Sequence, residues 1–160
     1  MGVKFAVAMG AEVTVFSTSP SKEADSKKLG ASKFVLTTDE SAVKALANSY
    51  DLILDTVSAK HEIIPYILAL VPHGVFAIVG APPAPYSVSG MPLILGNRTI
   101  FGSTIGGIKE TQEMTDFCAE NNITSDVEVI KMEQVDEAYE RTLKSDVKYR
   151  FVIDVKAFKQ

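Results

Sequence analysis

The stretch DLILDTVSAKHEIIPYILALVPHGVFAIVG, residues 51–80, decides the fold. Its opening, DLILD (51–55), is a nearly continuous apolar run of strand length, as expected of a parallel strand buried on both faces. Its end, VFAIVG (75–80), reads as a second buried strand. Between them residues 59–71 carry an apolar helical pattern, with Pro65 expected to kink or break it. Parallel neighbours need a crossover connection, and a helix of this kind supplies one.

The same alternation extends both ways. Upstream, VKFAVAM (3–9) reads as a helix, with Gly10 where a left-handed cap is wanted. EVTVF (12–16) is a β-branched strand, and Ser19 with Pro20 opens a helix that Gly30 ends. KFVLT (33–37) is a strand, and Asp39 or Ser41 caps a helix running to about Asn48. Downstream, residues 82–92 are loop, TIFGSTIG (99–106) is a strand, and a helix opens at Lys109 or Thr111 and ends near Asn121–Asn122. Strand VEVIKM (127–132), helix 134–144 and strand YRFVIDV (149–155) close the chain. Alternation from residue 12 to about 121 predicts an α/β fold with a doubly wound parallel sheet. The tail after residue 122 is open to assignment to a second unit.

Composition narrows the function. A chain of 160 residues, 46% hydrophobic, is long enough for a real core. Net charge is −4, with only 16 Lys and Arg, so no general pull toward nucleic acid or an anionic membrane is expected. No stretch reaches the roughly 18–20 apolar residues of a membrane helix. MGVKFAVAMG lacks the basic start and cleavage site of a signal peptide. The lone Cys118 can make neither an internal disulfide nor a cysteine-based zinc site by itself, which suits a reducing, cytoplasmic setting.

Open α/β sheets bind ligands beyond the carboxyl ends of their strands. The residues there are Ser17-Thr18-Ser19, Thr56-Val57-Ser58, Gly80-Ala81-Pro82 and Ser103-Thr104-Ile105-Gly106. A dinucleotide site for the unphosphorylated cofactor usually places an acid after the second strand, to hold the ribose 2′-hydroxyl. Here stand Ser17, Thr18, Ser19 and Lys22, donors and a charge suited to a 2′-phosphate. The plainer reading makes Ser19 a helix cap and Lys22 a solvated charge. Asp55 ends a strand, where an acid fixes a loop more often than it catalyses. His61 and His73 have no partner at a metal-ligand spacing, and Cys118 reads as a small apolar residue on a helix. No catalytic His-Glu-x-x-His, Gly-x-Ser-x-Gly or Walker motif is present.

Five phrases, in order, carry a resemblance: MGVKFAVAMGAEVTVFSTSPSK, DLILDTVS, PYILALVPHGVFAIVGAP, FGSTIGGIKETQEMTDFCAENNI and DEAYERTLKSDVKYRFVIDV. Together they resemble the medium-chain zinc-dependent alcohol dehydrogenases, within them the cinnamyl-alcohol-dehydrogenase-like, NADP-dependent branch. The resemblance covers essentially the whole chain. It implies a Rossmann-type domain over residues 1–122 that lacks its first strand, and a C-terminal fragment of a GroES-like catalytic domain over 123–160. It implies that the Gly-rich phosphate turn and the zinc ligands lie upstream of Met1. On that expectation the isolated chain is inactive and binds NADP weakly.

The resemblance also assigns residues. It implies that Ser17, Thr18, Ser19 and Lys22 hold the 2′-phosphate, although Pro20-Ser21 stand where the branch often has a polar or basic pair. It implies that Thr56 and Gly80 line the cofactor channel, and that Ser103, Thr104 and Ile105 meet the carboxamide. Arg150 resembles an arginine near the pyrophosphate, and the strand at 99–105 resembles an edge through which subunits form a homodimer. The implied reaction is hydride exchange between NADPH and a small aldehyde or alcohol, with zinc polarising the carbonyl in the full-length protein. Two rivals stand beside it. One is an adenosylmethionine-dependent methyltransferase, whose acidic strand end and Pro-x-Gly turn DLILD and LVPHGVFAIVG also resemble; STSPSK stands where that fold needs an acid. The other is a non-catalytic fragment that only dimerises.

Overall fold

The structure, a computed structural model, describes residues 1–144 and 146–157. The chain divides into two compact units, Gly2–Gln112 and Glu113–Gln160, the latter including Met1.

The first unit alternates helix and strand. Helix α1 (Gly2–Ala8) leads to β1 (Thr14–Ser17), a 3-10 turn (Pro20–Lys22), α2 (Glu23–Lys28) and β2 (Lys33–Leu36). Then come α3 (Glu40–Lys44), β3 (Tyr50–Asp55), α4 (Ile64–Ala69), β4 (Leu70–Ile78), α5 (Met91–Ile94) and β5 (Thr99–Gly102). Helix α6 (Ile108–Glu120) carries the chain across the division. The second unit adds β6 (Glu128–Ile130), α7 (Val135–Leu143) and β7 (Phe151–Ile153), with β6 and β7 parallel.

All strand pairs are parallel, as the alternation predicts. They form a β1–β2 ladder and a β3–β4–β5 ladder in the first unit. Among the described residues no register joins β1 to β3, so each keeps an unpaired edge. A parallel sheet interrupted between these two strands has this pattern. Aromatic contacts span the interruption: the Phe16 ring of β1 meets Tyr50 of β3 edge-on at 5.4 Å and Tyr66 of α4 at 5.5 Å.

The core lies between α4 and the strands, with Ile53, Ile63, Ile67, Ala69, Leu70 and Phe76 buried together. Burial is one-sided along β3. Ile53 and Asp55 point into the core, while Leu52 and Leu54 are 59% and 49% exposed. The expectation of a strand buried on both faces is corrected here. Helix α4 covers one face, and on the other Gly2 of α1 lies beside Leu54.

Pro65 does not kink a long helix. It stands in the first turn of α4, where its missing N–H leaves no bond unmade, and residues 59–63 are not helical. Strand β4 begins at Leu70, earlier than the apolar pattern suggests. Its register jumps from Tyr50↔Leu70 to Leu52↔Val75, and His73 in the gap has φ 65°. Gly10 (φ 84°) and Gly30 (φ 107°) take the left-handed conformations expected of them. Asp39 caps α3, its carboxylate accepting from Ser41 and Ala42 N–H. Those bonds hold the Asp39 carboxyl below its ordinary pKa, the Ser41 hydroxyl contributing most.

Candidate functional site

The register of the three-stranded ladder sets its carboxyl ends level, since Asp55 pairs with Ile78 and Ile78 with Gly102. Thr56, Gly80, Ser103, Thr104 and Ile105 follow these positions directly, so the structure brings them to one rim. The Ser103 N–H donates to the Ile78 carbonyl at 3.0 Å, which holds the start of that loop to β4. Ile105 is 92% exposed.

Gly80 has its own reason to be glycine. A Cβ there would lie 2.6 Å from the Val57 carbonyl carbon and 2.8 Å from that of Thr56. Both backbones are pinned, because the Asp55 carbonyl accepts from Val79 N–H (2.9 Å) and Gly80 N–H (3.0 Å). Close approach of two main chains, independent of any ligand, therefore requires Gly80.

Ser17, Thr18, Ser19 and Lys22 cluster at the end of β1. Ser19 occupies the cap position of the 3-10 turn, yet its side chain makes no capping bond. The plain capping reading is corrected on that point. The Ser19 hydroxyl shares a hydrogen with the Ser21 hydroxyl at 2.8 Å, and the Ser17 hydroxyl accepts from the Ser19 N–H at 3.1 Å. Lys22 is exposed and, among the described residues, has no ion-pair partner. Its sequence neighbour Glu23 is engaged by Lys27 at 2.7 Å. The result is a turn with three serine hydroxyls and an uncompensated ammonium, suited to a dianion. Arg150 belongs to the second unit. It precedes β7, is exposed, and gives its carbonyl to the Glu128 N–H at 2.9 Å.

Sequence reasoning missed Tyr86 and undervalued what surrounds it. Asp55 is buried, with one carboxylate oxygen accepting from the Val57 N–H at 3.0 Å and the other from the Tyr86 hydroxyl at 2.8 Å. The Nε2 of His61 lies 3.4 Å from that second oxygen. The His61 Nδ1 lies 2.9 Å from the Ala59 carbonyl, and its ring stands edge-on to Tyr86 at 5.4 Å. Burial, then the bond to Asp55, push the Tyr86 phenol up to about 12. Asp55 thus has the loop-fixing part its strand-end position suggests. Tyr86 carried no local signal because its partner is 31 residues away.

Among the described residues no three His, Cys, Asp or Glu side chains converge as a metal site. The described residues do not fit a zinc centre.

Known proteins now bear on this geometry. Residues 1–120 match the family described as zinc-binding dehydrogenase. The chain belongs to that family. It is 53% identical to the 8-hydroxygeraniol dehydrogenase of Catharanthus roseus, over 97% of this chain and 43% of that protein. A cinnamyl alcohol dehydrogenase structure from Sorghum bicolor superposes with a TM-score of 0.93 at 43% identity, covering 99% of this chain and 45% of the other. The Helicobacter pylori CAD structure complexed with NADP(H) gives a TM-score of 0.85 at 38% identity, covering 99% and 45%. The chain therefore spans less than half the length of these relatives. Its fold is that of their α/β cofactor-binding part.

Proposed function

We propose that this chain supplies the NADP(H)-holding part of an alcohol dehydrogenase that interconverts a small aldehyde and its alcohol. One observation carries the choice of NADP(H): the turn after β1 carries the hydroxyls of Ser17, Ser19 and Ser21 and then Lys22, which among the described residues has no ion-pair partner, while the adjacent Glu23 is held by Lys27. The Helicobacter relative in complex with NADP(H) supports the same reading.

In this reading Ser17, Thr18, Ser19 and Lys22 hold the 2′-phosphate. Thr56 and Gly80 border the channel, and the Ser103–Ile105 backbone meets the carboxamide. Arg150 faces the pyrophosphate in the assembled protein. NADPH, when bound, supplies the hydride; the residues of this chain hold and orient it and keep water from its face. Residues 1–122 are assigned to the cofactor domain and 123–160 to the return into a catalytic domain. Zinc belongs to the whole protein, and the isolated chain is expected to reduce no aldehyde. A cytoplasmic location accompanies this assignment.

Homodimerisation is part of the proposal. Among the described residues strand β5 pairs with β4 alone and leaves its other edge open, without the proline or lysine that usually guards an edge. Phe101, Ile105 and Ile108 beside it are 45%, 92% and 93% exposed. Two copies joined edge to edge through β5 would cover them. Sedimentation of the chain as a monomer at tens of micromolar would refute the pairing.

The experiment for the cofactor is a calorimetric titration of the chain with NADPH and NADH. Preference for NADPH that disappears in Lys22→Ala supports the reading. Equal affinity for both cofactors in the unaltered chain overturns it.

A further inference from the structure

Residues 82–89 form a loop without helix or strand, running from the end of β4 toward α5. Pro82, Pro83 and Pro85 fix three of its φ angles, so it moves as a stiff piece rather than as a floppy one. Among the described residues, the Tyr86 hydroxyl makes the one hydrogen bond that ties this loop to the rest of the unit. The acceptor is the buried Asp55 carboxylate, whose other oxygen holds the Val57 N–H. One carboxylate thus fastens both loops that leave the ends of β3 and β4. His61 closes the arrangement, ring against Tyr86 and Nε2 beside the same carboxylate oxygen.

A charged acceptor makes this a strong bond; ahead of it, at the root of the loop, the Ala81 N–H donates to the Ser58 hydroxyl at 3.3 Å. Beyond that root the stiff loop is held by the Tyr86 bond and by the Tyr86 ring packed on the core, so removing the hydroxyl loosens its middle and leaves its root in place. The strand ends it leaves are the rim on which the dinucleotide is placed above.

We propose that Tyr86 is a positioning residue of this site: bonded to Asp55 and backed by His61, it fastens loop 82–89 against the end of β3 and keeps the Thr56–Ser58 and Gly80–Pro82 rims in the arrangement that receives the dinucleotide. The dinucleotide part rests on the cofactor reading above; the fastening of the loop does not.

Chymotrypsin tests the fastening directly, because it cuts after Tyr and after Phe. Cleavage after residue 86 is timed by mass spectrometry in the unaltered chain, in Tyr86→Phe and in Asp55→Asn, with Tm measured alongside. Tyr86→Phe keeps the ring against His61 and removes only the hydroxyl. Cleavage after residue 86 should then rise at least about tenfold, with Tm within a few degrees, since cleavage follows the open population. The Kd for NADPH should rise several-fold in the same variant, and that for NADH by the same factor, because the loop is not where the 2′-phosphate is held. Should Asp55→Asn fail to fold, Tyr86→Phe decides alone. Unchanged cleavage after residue 86 overturns the proposal. So does faster cleavage at every site together with a lowered Tm, which would make Tyr86 a general packing residue. If the unaltered chain binds no NADPH, the cofactor reading fails, and the cleavage rates still decide whether Tyr86 fastens the loop.

Discussion

Replacing Gly80 with alanine separates a ligand-lining glycine from a fold-requiring one. The added Cβ would sit on the Val57 carbonyl group, 2.6 Å from its carbon, and 2.8 Å from the carbonyl carbon of Thr56. Neither strand end can yield cheaply. The Asp55 carbonyl holds Val79 N–H and Gly80 N–H, and the Asp55 carboxylate holds Val57 N–H from the other side. Overpacking against mobile side chains costs about 1–3 kcal/mol. Here the obstacle is main chain, and relief requires breaking one of these bonds at about 1 kcal/mol or more. The expected loss is about 3–4 kcal/mol without any nucleotide present. In a chain of this size that lowers Tm by roughly 6–16 °C. Gly102 is the control, because a Cβ there meets only the Ile78 carbonyl oxygen, at an ordinary 3.9 Å, and its φ is not positive. Gly102→Ala should fall within about 1 kcal/mol of the unaltered chain, or stabilise it slightly by stiffening the unfolded state. Urea unfolding followed by circular dichroism measures both. Gly80→Ala with the stability of Gly102→Ala would refute the close-approach argument.

Other expectations follow from single contacts. Lys22→Ala should weaken NADPH about ten- to a hundredfold, the worth of a charge-assisted bond, with NADH and urea midpoint unmoved, as isothermal titration would show. Arg98 donates to the Leu70 carbonyl (2.9 Å), the Pro92 carbonyl (2.8 Å) and the Asn48 side chain (2.7 Å), so Arg98→Lys, which cannot reach three acceptors, should cost about 2–4 kcal/mol in urea unfolding. In the second unit the Lys148 N–H and then Arg141 hold the Glu128 carboxyl below its ordinary pKa. A depressed folded value gives stability that is complete above the unfolded value near about 4.3 and is lost as pH falls through the folded one. Acid titration of stability should therefore steepen below about pH 4.3, and Glu128→Gln should flatten that slope while lowering stability at neutral pH.

The alternation of elements was legible because it rests on local signals: Gly10 and Gly30 as stops, Asp39 as a cap, apolar runs of strand length at 51–55 and 75–80. Pro65 was read with the wrong sign. A proline inside an apolar run looks like a break, and only the non-helical stretch 59–63 ahead of it shows that it opens a helix. Burial of β3 was overstated, because an apolar run reports hydrophobicity and not which of its faces a helix covers. At the candidate site the grouping of Ser17 to Lys22 is legible because its members are neighbours in sequence. Tyr86 is not legible, since its partner Asp55 ends β3, 31 residues away, and no spacing rule joins them.

The two charges at the strand ends behave oppositely, and the contrast favours an anionic ligand. A free carboxylate on this rim would repel phosphate groups. Asp55 is not free: its side chain is 4% exposed, and both oxygens are turned to donors, Val57 N–H on one and Tyr86 O–H on the other. Its charge is spent within the protein. Lys22 is the reverse case. Lys27 takes the neighbouring Glu23, Lys33 pairs with Glu12 at 2.9 Å and Lys44 with Glu40 at 3.1 Å, while Lys22 stands exposed among hydroxyls. The acid nearest Lys22 along the chain is thus engaged by another lysine. An ammonium without an ion pair among the described residues, on the turn that carries Ser17, Ser19 and Ser21, keeps its field for a ligand. If that field is what selects the phosphorylated cofactor, the preference for NADPH over NADH should shrink steadily as salt rises from 0.05 to about 0.5 M, because the screening length of an exposed charge falls from about 14 Å to about 4 Å over that range. A preference independent of salt would mean that the hydroxyls alone make the choice and that Lys22 stands idle.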